Sequence, residues 1–201
     1  MADKIVIEIF RKKEPEELTA AFADPESKTD IASSAALTAA NACAMGLRAA
    51  RLARGDEERL DYLRRNLDKL RSYMVYLIDE DLKGRSIMKR AQKDGAPEKV
   101  EAALHSLCAI SDEIINQMCN VLDLLLELSE MDLSESAPYL GSAVHDATAA
   151  LQSARLFVLK AVSASIEDTY RYITRRENEI RLAEYEPKAK AILERVEKSI
   201  L

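Results

Sequence analysis

Apolar residues recur at intervals of three and four along most of the chain, which is the spacing of one face of an α-helix. The clearest run begins after Gly55-Asp56 and continues to about Lys93. Its apolar face comprises Leu60, Leu63, Leu67, Leu70, Met74, Leu77, Asp81, Gly84 and Met88. A second run from Pro97 to Glu130 has the same spacing and follows a clear turn at Asp94–Pro97. We predict a long helix over each run.

Four further helices are predicted along the rest of the chain. A short one is expected over Glu16–Phe22, opened by Pro15, since proline is tolerated in a first turn. The stretch Asp30–Arg54 is dominated by alanine, serine and glycine, so we expect it at the centre of the fold, where neighbouring helices approach closely. Gly141–Tyr172 also has an alanine-rich face, and an extension of this helix to Ala183 stays open. A last helix is predicted from Pro187 to the C-terminus.

These elements predict an all-α fold, an up-and-down bundle of about five long helices joined by short turns. We divide the chain into an N-terminal arm, residues 1–13, and one helical-bundle domain, residues 14–201. The weak alternation of Ile5, Ile7 and Ile9 leaves a short strand, a helical arm and a tail open for the arm. Small-residue faces left over on the helices predict a homodimer.

Composition and charge exclude several classes of function. The 201 residues include 29 basic and 35 acidic side chains, a net charge of −6, so we expect no nucleic-acid partner. The most apolar run, Val121–Leu128, is interrupted by two carboxylates, so no membrane partner is expected. Cys43, Cys108 and Cys119 show no CxxC spacing and suggest buried thiols in a reducing cytoplasm. Two histidines and no Cys/His cluster predict no metal site.

Asp81 is the one carboxylate that falls in an otherwise apolar register. Burying it without a partner would be costly, so the position indicates either a polar site inside the bundle or a bend at Gly84 that exposes it. His145 and Asp146 form a second candidate, in the first turn of the alanine-faced helix. Either this pair acts in a site, or Asp146 complements the helix dipole and His145 points to solvent.

Four segments together resemble the cyclodeaminase/cyclohydrolase family, which includes formimidoyltetrahydrofolate cyclodeaminase and a methenyltetrahydrofolate cyclohydrolase. They are Ser33–Leu37, which opens the alanine-rich helix, the acidic Leu77–Asp81, the segment Ala109–Leu122 with Cys119, and Ser142–Asp146. The resemblance covers about Glu16 to Leu201. The chain departs from the family where the alanine-rich helix begins. The family has Pro-Gly-Gly-Gly there, and this chain has Thr29-Asp30-Ile31-Ala32.

The resemblance implies a one-carbon tetrahydrofolate derivative as substrate and no further cofactor. It implies either hydrolysis of a methenyl bridge or cyclisation of a formimidoyl group with loss of ammonia. We expect His145, Asp146 and Asp81 to be the catalytic residues and to line one cavity. Ser33, Ser34 and Ser142 are expected to bind the ligand. Histidine suits proton transfer near neutral pH, and Asp81 would stabilise a cationic group or bind the pterin edge.

Two other hypotheses stay open at this point. One is a family-shaped helical dimer without catalytic activity, which binds another ligand or a protein partner. The other is a purely structural helical module in a larger assembly. The missing glycine loop favours the first of these, since glycine lets backbone N–H groups approach an anionic or planar ligand closely.

Overall fold

The computed structural model describes residues 10–201, and these form six helices after a short 3-10 turn at Phe10–Lys12. The helices are α1 Pro15–Ala23, α2 Ile31–Leu52, α3 Glu57–Asp94, α4 Pro97–Leu128, α5 Ala137–Val162 and α6 Asp168–Ile200. The all-α prediction is confirmed. Five helices are long and α1 is short, so the described part has six helices where about five were expected. The alternation at Ile5–Ile9 lies outside the described residues.

The alanine-rich helix α2 lies at the centre of the bundle, as predicted, and packs against α3, α4 and α5. Asp30 caps its start by accepting a hydrogen bond from the Ile31 N–H at 2.7 Å. The close approach of α2 to its neighbours needs a glycine at one point, because a Cβ on Gly46 would lie 2.8 Å from Leu125 Cδ2. Small side chains thus let several helices share one core.

The predicted apolar faces of α3 and α4 are buried in that core. Their largest fully buried side chains are Leu60, Leu63, Leu67, Met74, Ile78, Ile114, Ile115, Met118, Leu122, Leu125 and Leu128. Gly95 ends α3 in the left-handed region, with φ of 78°, where a residue with a Cβ is disfavoured. The three cysteines are buried and free, as expected. Across residues 10–201, we find no helix with both the length and the apolar character of a membrane span.

The bounds predicted for the helix from Gly141 to Tyr172 are wrong at both ends. It begins at Ala137 and ends at Val162, and a turn separates it from α6. The predicted alanine-rich face therefore does not continue to Tyr172, which is 71% exposed. The physical reason lies in α4. The Glu101 carboxylate accepts hydrogen bonds from the Ser165 hydroxyl and the Ile166 N–H and stabilises the turn.

Pro187 does not start a new helix but lies inside α6. A proline in a helix removes one backbone hydrogen bond and crowds the carbonyl four residues earlier. Both Pro187 and Ala183 are exposed, so water can satisfy the freed carbonyl. Tyr185 and Lys188 hold the helix on either side of the proline, because both donate to the Asp123 carboxylate of α4, at 3.1 and 2.8 Å.

The homodimer stays a prediction, but the surface that we expect to form its interface differs from the one predicted from the sequence. Most alanines of α2 are buried inside the chain, so they are not available to a partner. Leu156, on the outer face of α5, is 59% exposed. We expect a dimer in sedimentation analysis at micromolar concentration, and its conversion to monomer by Leu156→Glu, since a charge in an apolar interface costs association energy. A compact monomer of the unaltered chain would contradict the prediction.

Candidate functional site

The buried carboxylate of Asp81 is the centre of the candidate site. Its side chain is 0% exposed, so the prediction that it faces the interior is confirmed, and a bend that exposes it at Gly84 is excluded. The Ser33 hydroxyl of α2 donates to Asp81 Oδ2 at 2.5 Å. Asp81 Oδ1 is buried without a hydrogen-bond partner in the described residues. An unpartnered buried carboxylate oxygen is costly, and such an atom is often explained by function.

Arg85 connects this buried carboxylate to the start of α2. Its Nε lies 3.1 Å from Asp81 Oδ2, one helical turn earlier on α3, and its Nη1 lies 2.8 Å from Asp30 Oδ2. The guanidinium also lies over the ring of Phe157 on α5, 5.2 Å from its centroid. Arg85 Nη2 is buried with no partner in residues 10–201. Three helices thus converge on one ion-pair network that still has an unused donor and an unused acceptor.

A cavity of about 720 Å³ opens beside Arg85, between the connector of residues 24–30 and helices α2, α3 and α5. Its size is in the range of small-molecule sites. Its lining residues are Phe22, Asp24, Pro25, Glu26, Ser27, Lys28, Thr29, Asp30, Ile31, Ser34, Arg85, Ser86, Lys89 and Ser153. Ser34, predicted to bind the ligand, lines this cavity, and Ser33 lies beneath it against Asp81.

The cavity presents both signs of charge. Arg85 and Lys89 project from α3, and the N-terminus of the 22-residue helix α2, whose Ile31 N–H is bonded to Asp30, adds a positive dipole end. Asp24, Glu26 and Asp30 also line the cavity, and Asp30 is the one that pairs with Arg85. Such a cavity can receive a ligand that has an anionic group and also a cationic or N–H-rich group.

Side-chain hydrogen bonds, rather than glycines, fix the connector over the cavity. The Thr29 hydroxyl donates to the Ala21 carbonyl at 2.8 Å, and Thr29 Oγ1 lies 3.0 Å from Ser27 Oγ. The Glu26 N–H donates to Asp24 Oδ1 at 2.9 Å. This loop occupies the place where the resemblance puts the family's glycine loop, so the chain encloses the cavity with a different backbone.

His145 and Asp146 lie on α5, outside the lining of this cavity. They are in the third turn of α5, not the first, because the helix begins at Ala137. Asp146 therefore does not complement the N-terminal dipole. His145 and Ser142 are exposed and Asp146 is half-buried. Ser153, which lines the cavity, shares a face with Asp146, and seven residues of helix separate the two by about 10 Å.

Asp146 differs from an ordinary surface carboxylate in its acidity. Burial raises the pKa of its carboxyl above the ordinary value, and the charge of the neighbouring His145 acts in the opposite direction. A raised pKa brings a carboxyl closer to the range in which it exchanges protons near neutral pH. No described hydrogen bond or ion pair joins Asp81 to His145 or to Asp146, and the catalytic roles of His145 and Asp146 stay predictions.

Arg85, Lys89 and Ser153 line the cavity but were not predicted as site residues from the sequence, for different reasons. Arg85 stands four residues after Asp81, the spacing of an ion pair on one helix face, so that signal was present. Lys89 follows at the same interval. Ser153 had no local signal, because only the packing of α5 against α2 brings it to the cavity.

Residues 17–182, more than four fifths of the chain, match the family model of formiminotransferase-cyclodeaminase. The chain belongs to this family. Its fold is similar to the crystal structure of formiminotetrahydrofolate cyclodeaminase from Thermotoga maritima, with a TM-score of 0.80, 18% identity, and coverage of 94% of this chain and 96% of that one. A search of curated proteins gave no match. The match to the formiminotransferase-cyclodeaminase family thus covers most of the bundle, including the helices around Asp81.

Proposed function

We propose that this protein binds a one-carbon tetrahydrofolate derivative in the cavity beside Arg85 and catalyses a cyclodeaminase reaction on it. The observation that supports this most is the buried Asp81–Arg85–Asp30 network under a cavity, in a chain of the formiminotransferase-cyclodeaminase family. The three buried, free cysteines support a reducing cytoplasm as the location.

The proposed reaction closes a ring on a protonated formimino group. A second nitrogen of the folate bonds to the formimino carbon, the bond from that carbon to the terminal nitrogen breaks, and ammonia leaves. The proton of the attacking nitrogen ends on the ammonia, so one positive charge remains on the new methenyl bridge. Substrate and product are both cations, so a fixed negative charge nearby stabilises the whole path.

In this proposal Asp81 provides that negative charge from a buried position. A preorganised charge in a low-dielectric interior acts far more strongly than the same charge in water. Ser33 and Arg85 hold the Asp81 carboxylate in place. Arg85 and Lys89, together with the N–H groups that start α2, would bind the anionic part of the folate. In this proposal Ser34 lies beside the ligand.

His145 and Asp146 are proposed to take part in the proton transfer. A ligand that extends from Ser153 along the same face of α5 reaches Asp146, whose raised pKa suits proton exchange. His145, next to it, is exposed. Ser142 lies one turn earlier and would contact the same end of the ligand. Full activity in the double variant His145→Gln/Asp146→Asn would remove both residues from the proposal.

The first experiment measures ligand binding and turnover together. We expect tetrahydrofolate and its formimino and methenyl derivatives to raise the melting temperature, since a ligand of the native state alone stabilises it. Incubation with the formimino derivative should release ammonia. Hydrolysis of the methenyl derivative without ammonia release would assign the related cyclohydrolase reaction instead.

A matched pair of variants tests whether the cavity is the site. Lys89→Met removes a cation that lines the cavity, and Lys93→Met removes an exposed cation one turn later on α3 that does not. We expect Lys89→Met to weaken folate binding about tenfold, the effect of losing a charge-assisted contact of about 1.4 kcal/mol, and Lys93→Met to have no effect. Binding without turnover would support the non-catalytic alternative. The absence of both binding and turnover would refute the proposal.

A further inference from the structure

A second polar cluster lies where the turn between α5 and α6 meets α4, away from the cavity. Glu101 of α4 is 7% exposed and accepts hydrogen bonds from the Ser165 hydroxyl and, at 3.1 Å, from the Ile166 N–H. Burial acts to raise the pKa of Glu101, but the bonds from Ser165, Ile166 and His105 outweigh it and hold the pKa below its ordinary value.

His105 lies one helical turn after Glu101, on the same face of α4. Its Nε2 is 3.0 Å from Glu101 Oε1, and the ring of Tyr170 covers it, with 3.9 Å between centroids. Glu167, the residue before α6, brings a second carboxylate to this point. One ligand atom from each of Glu101, His105 and Glu167 lies within 4.8 Å of the other two.

This spacing is close to that of ligands on one metal ion. Nitrogen and oxygen ligands lie about 2.0–2.2 Å from zinc, so two of them in a tetrahedron are about 3.3–3.6 Å apart. The distance of 3.0 Å between His105 Nε2 and Glu101 Oε1 is slightly shorter than this ligand–ligand distance. Glu167 is exposed, so its side chain can rotate inward by the remaining distance.

The cluster contains two carboxylates without a lysine or arginine partner, which favours the binding of a cation. Within residues 10–201, neither Glu101 nor Glu167 forms an ion pair with a lysine or arginine, and Arg171 is paired with Asp168 and donates to the Ser165 carbonyl. Glu101 Oε2 accepts one described hydrogen bond, which leaves it a free lone pair. The bonds from Ser165 and Ile166 already orient the carboxylate, as outer-shell partners of a metal ligand do.

We propose that Glu101, His105 and Glu167 bind one divalent transition-metal ion, with zinc the best match to one imidazole and two carboxylates. Water completes the coordination. The ion fastens the start of α6 to α4, since two ligands come from α4 and the third from the residue that precedes α6. This site is independent of the proposed folate chemistry.

Zinc titration of the full-length, untagged protein after removal of metals with a chelator tests this site. Calorimetry should show one zinc ion per chain, and zinc should raise the melting temperature. We expect His105→Gln and Glu167→Gln each to weaken binding by at least about tenfold, because even outer-shell changes alter metal affinity 10–100-fold. Neither variant should retain the full thermal shift.

The chain supplies a control for each ligand. His145→Gln removes the other histidine, which is exposed, and Glu186→Gln removes an exposed carboxylate on α6. Both should bind zinc as the unaltered protein does. If circular dichroism shows that His105→Gln does not fold, zinc binding by Glu167→Gln alone tests the site, because Glu167 is exposed and its replacement should not disturb the fold. The proposal is overturned if no zinc binds, if Glu167→Gln binds zinc normally, or if His145→Gln removes the binding.

Discussion

Replacing Asp81 with asparagine is expected to reduce kcat/KM for the formimino derivative by about 10²- to 10³-fold, the usual effect of removing one preorganised electrostatic group. Asparagine keeps the shape of the side chain and can still accept from the Ser33 hydroxyl, so the bundle should remain folded. The loss arises because the positive charge of substrate and product would no longer lie near a buried negative charge. Steady-state kinetics with ammonia detection measures it.

Asp79 provides the matched control, two residues earlier on α3. It is also nearly buried, but its carboxylate binds Arg11, with the Arg11 Nε at 3.0 Å, on a different side of the helix. Asp79→Asn should lower stability and leave kcat/KM within about threefold, a change under 1 kcal/mol in barrier height. Equal kinetic losses in the two variants would mean that Asp81 is only a structural residue.

Replacing Arg85 with methionine is expected to lower the free energy of unfolding by about 2–4 kcal/mol. Removing one partner of a buried ion pair leaves an uncompensated charge, which costs about 3–5 kcal/mol when both groups are fully buried. The Arg85 side chain is 22% exposed, so we discount that range for solvent screening. Two carboxylates, those of Asp30 and Asp81, lose their cation together. Urea unfolding followed by circular dichroism measures the effect.

A double-mutant cycle separates the ion pair from the packing of the arginine stem. Adding Asp81→Asn to Arg85→Met removes the unpaired buried charge, so the double variant should be more stable than Arg85→Met alone. Arg54→Met is the surface control, because Arg54 and Glu135 form an ion pair whose side chains are 70% and 59% exposed. It should cost under about 0.5 kcal/mol. An equal cost for Arg54→Met and Arg85→Met would contradict the buried network.

Helical spacing in the sequence determined the fold class and the bounds of α2, α3 and α4 to within a few residues. This succeeded because each of these helices has a signal within its own residues: an apolar face, a capping Asp30, or a stop at Gly95. The burial of Asp81 was predictable for the same reason, since its register is fixed by the leucines before it. Ser33 was expected to bind the ligand because of the family resemblance; it is buried and donates to Asp81, and its contact with a ligand stays a prediction.

Only the tertiary structure decided what depends on contacts between distant residues. The end of α5 is set by Glu101, more than sixty residues earlier, and no local breaker marks it. His105 and Glu167 meet for the same reason, so a sequence with two histidines gave no hint of the proposed metal site. The pairing of Arg85 with Asp30 joins two helices. Helix periodicity specifies which face of a helix is buried, but the partner across that face depends on how the helices pack. The groups of both proposed sites meet where helices pack together.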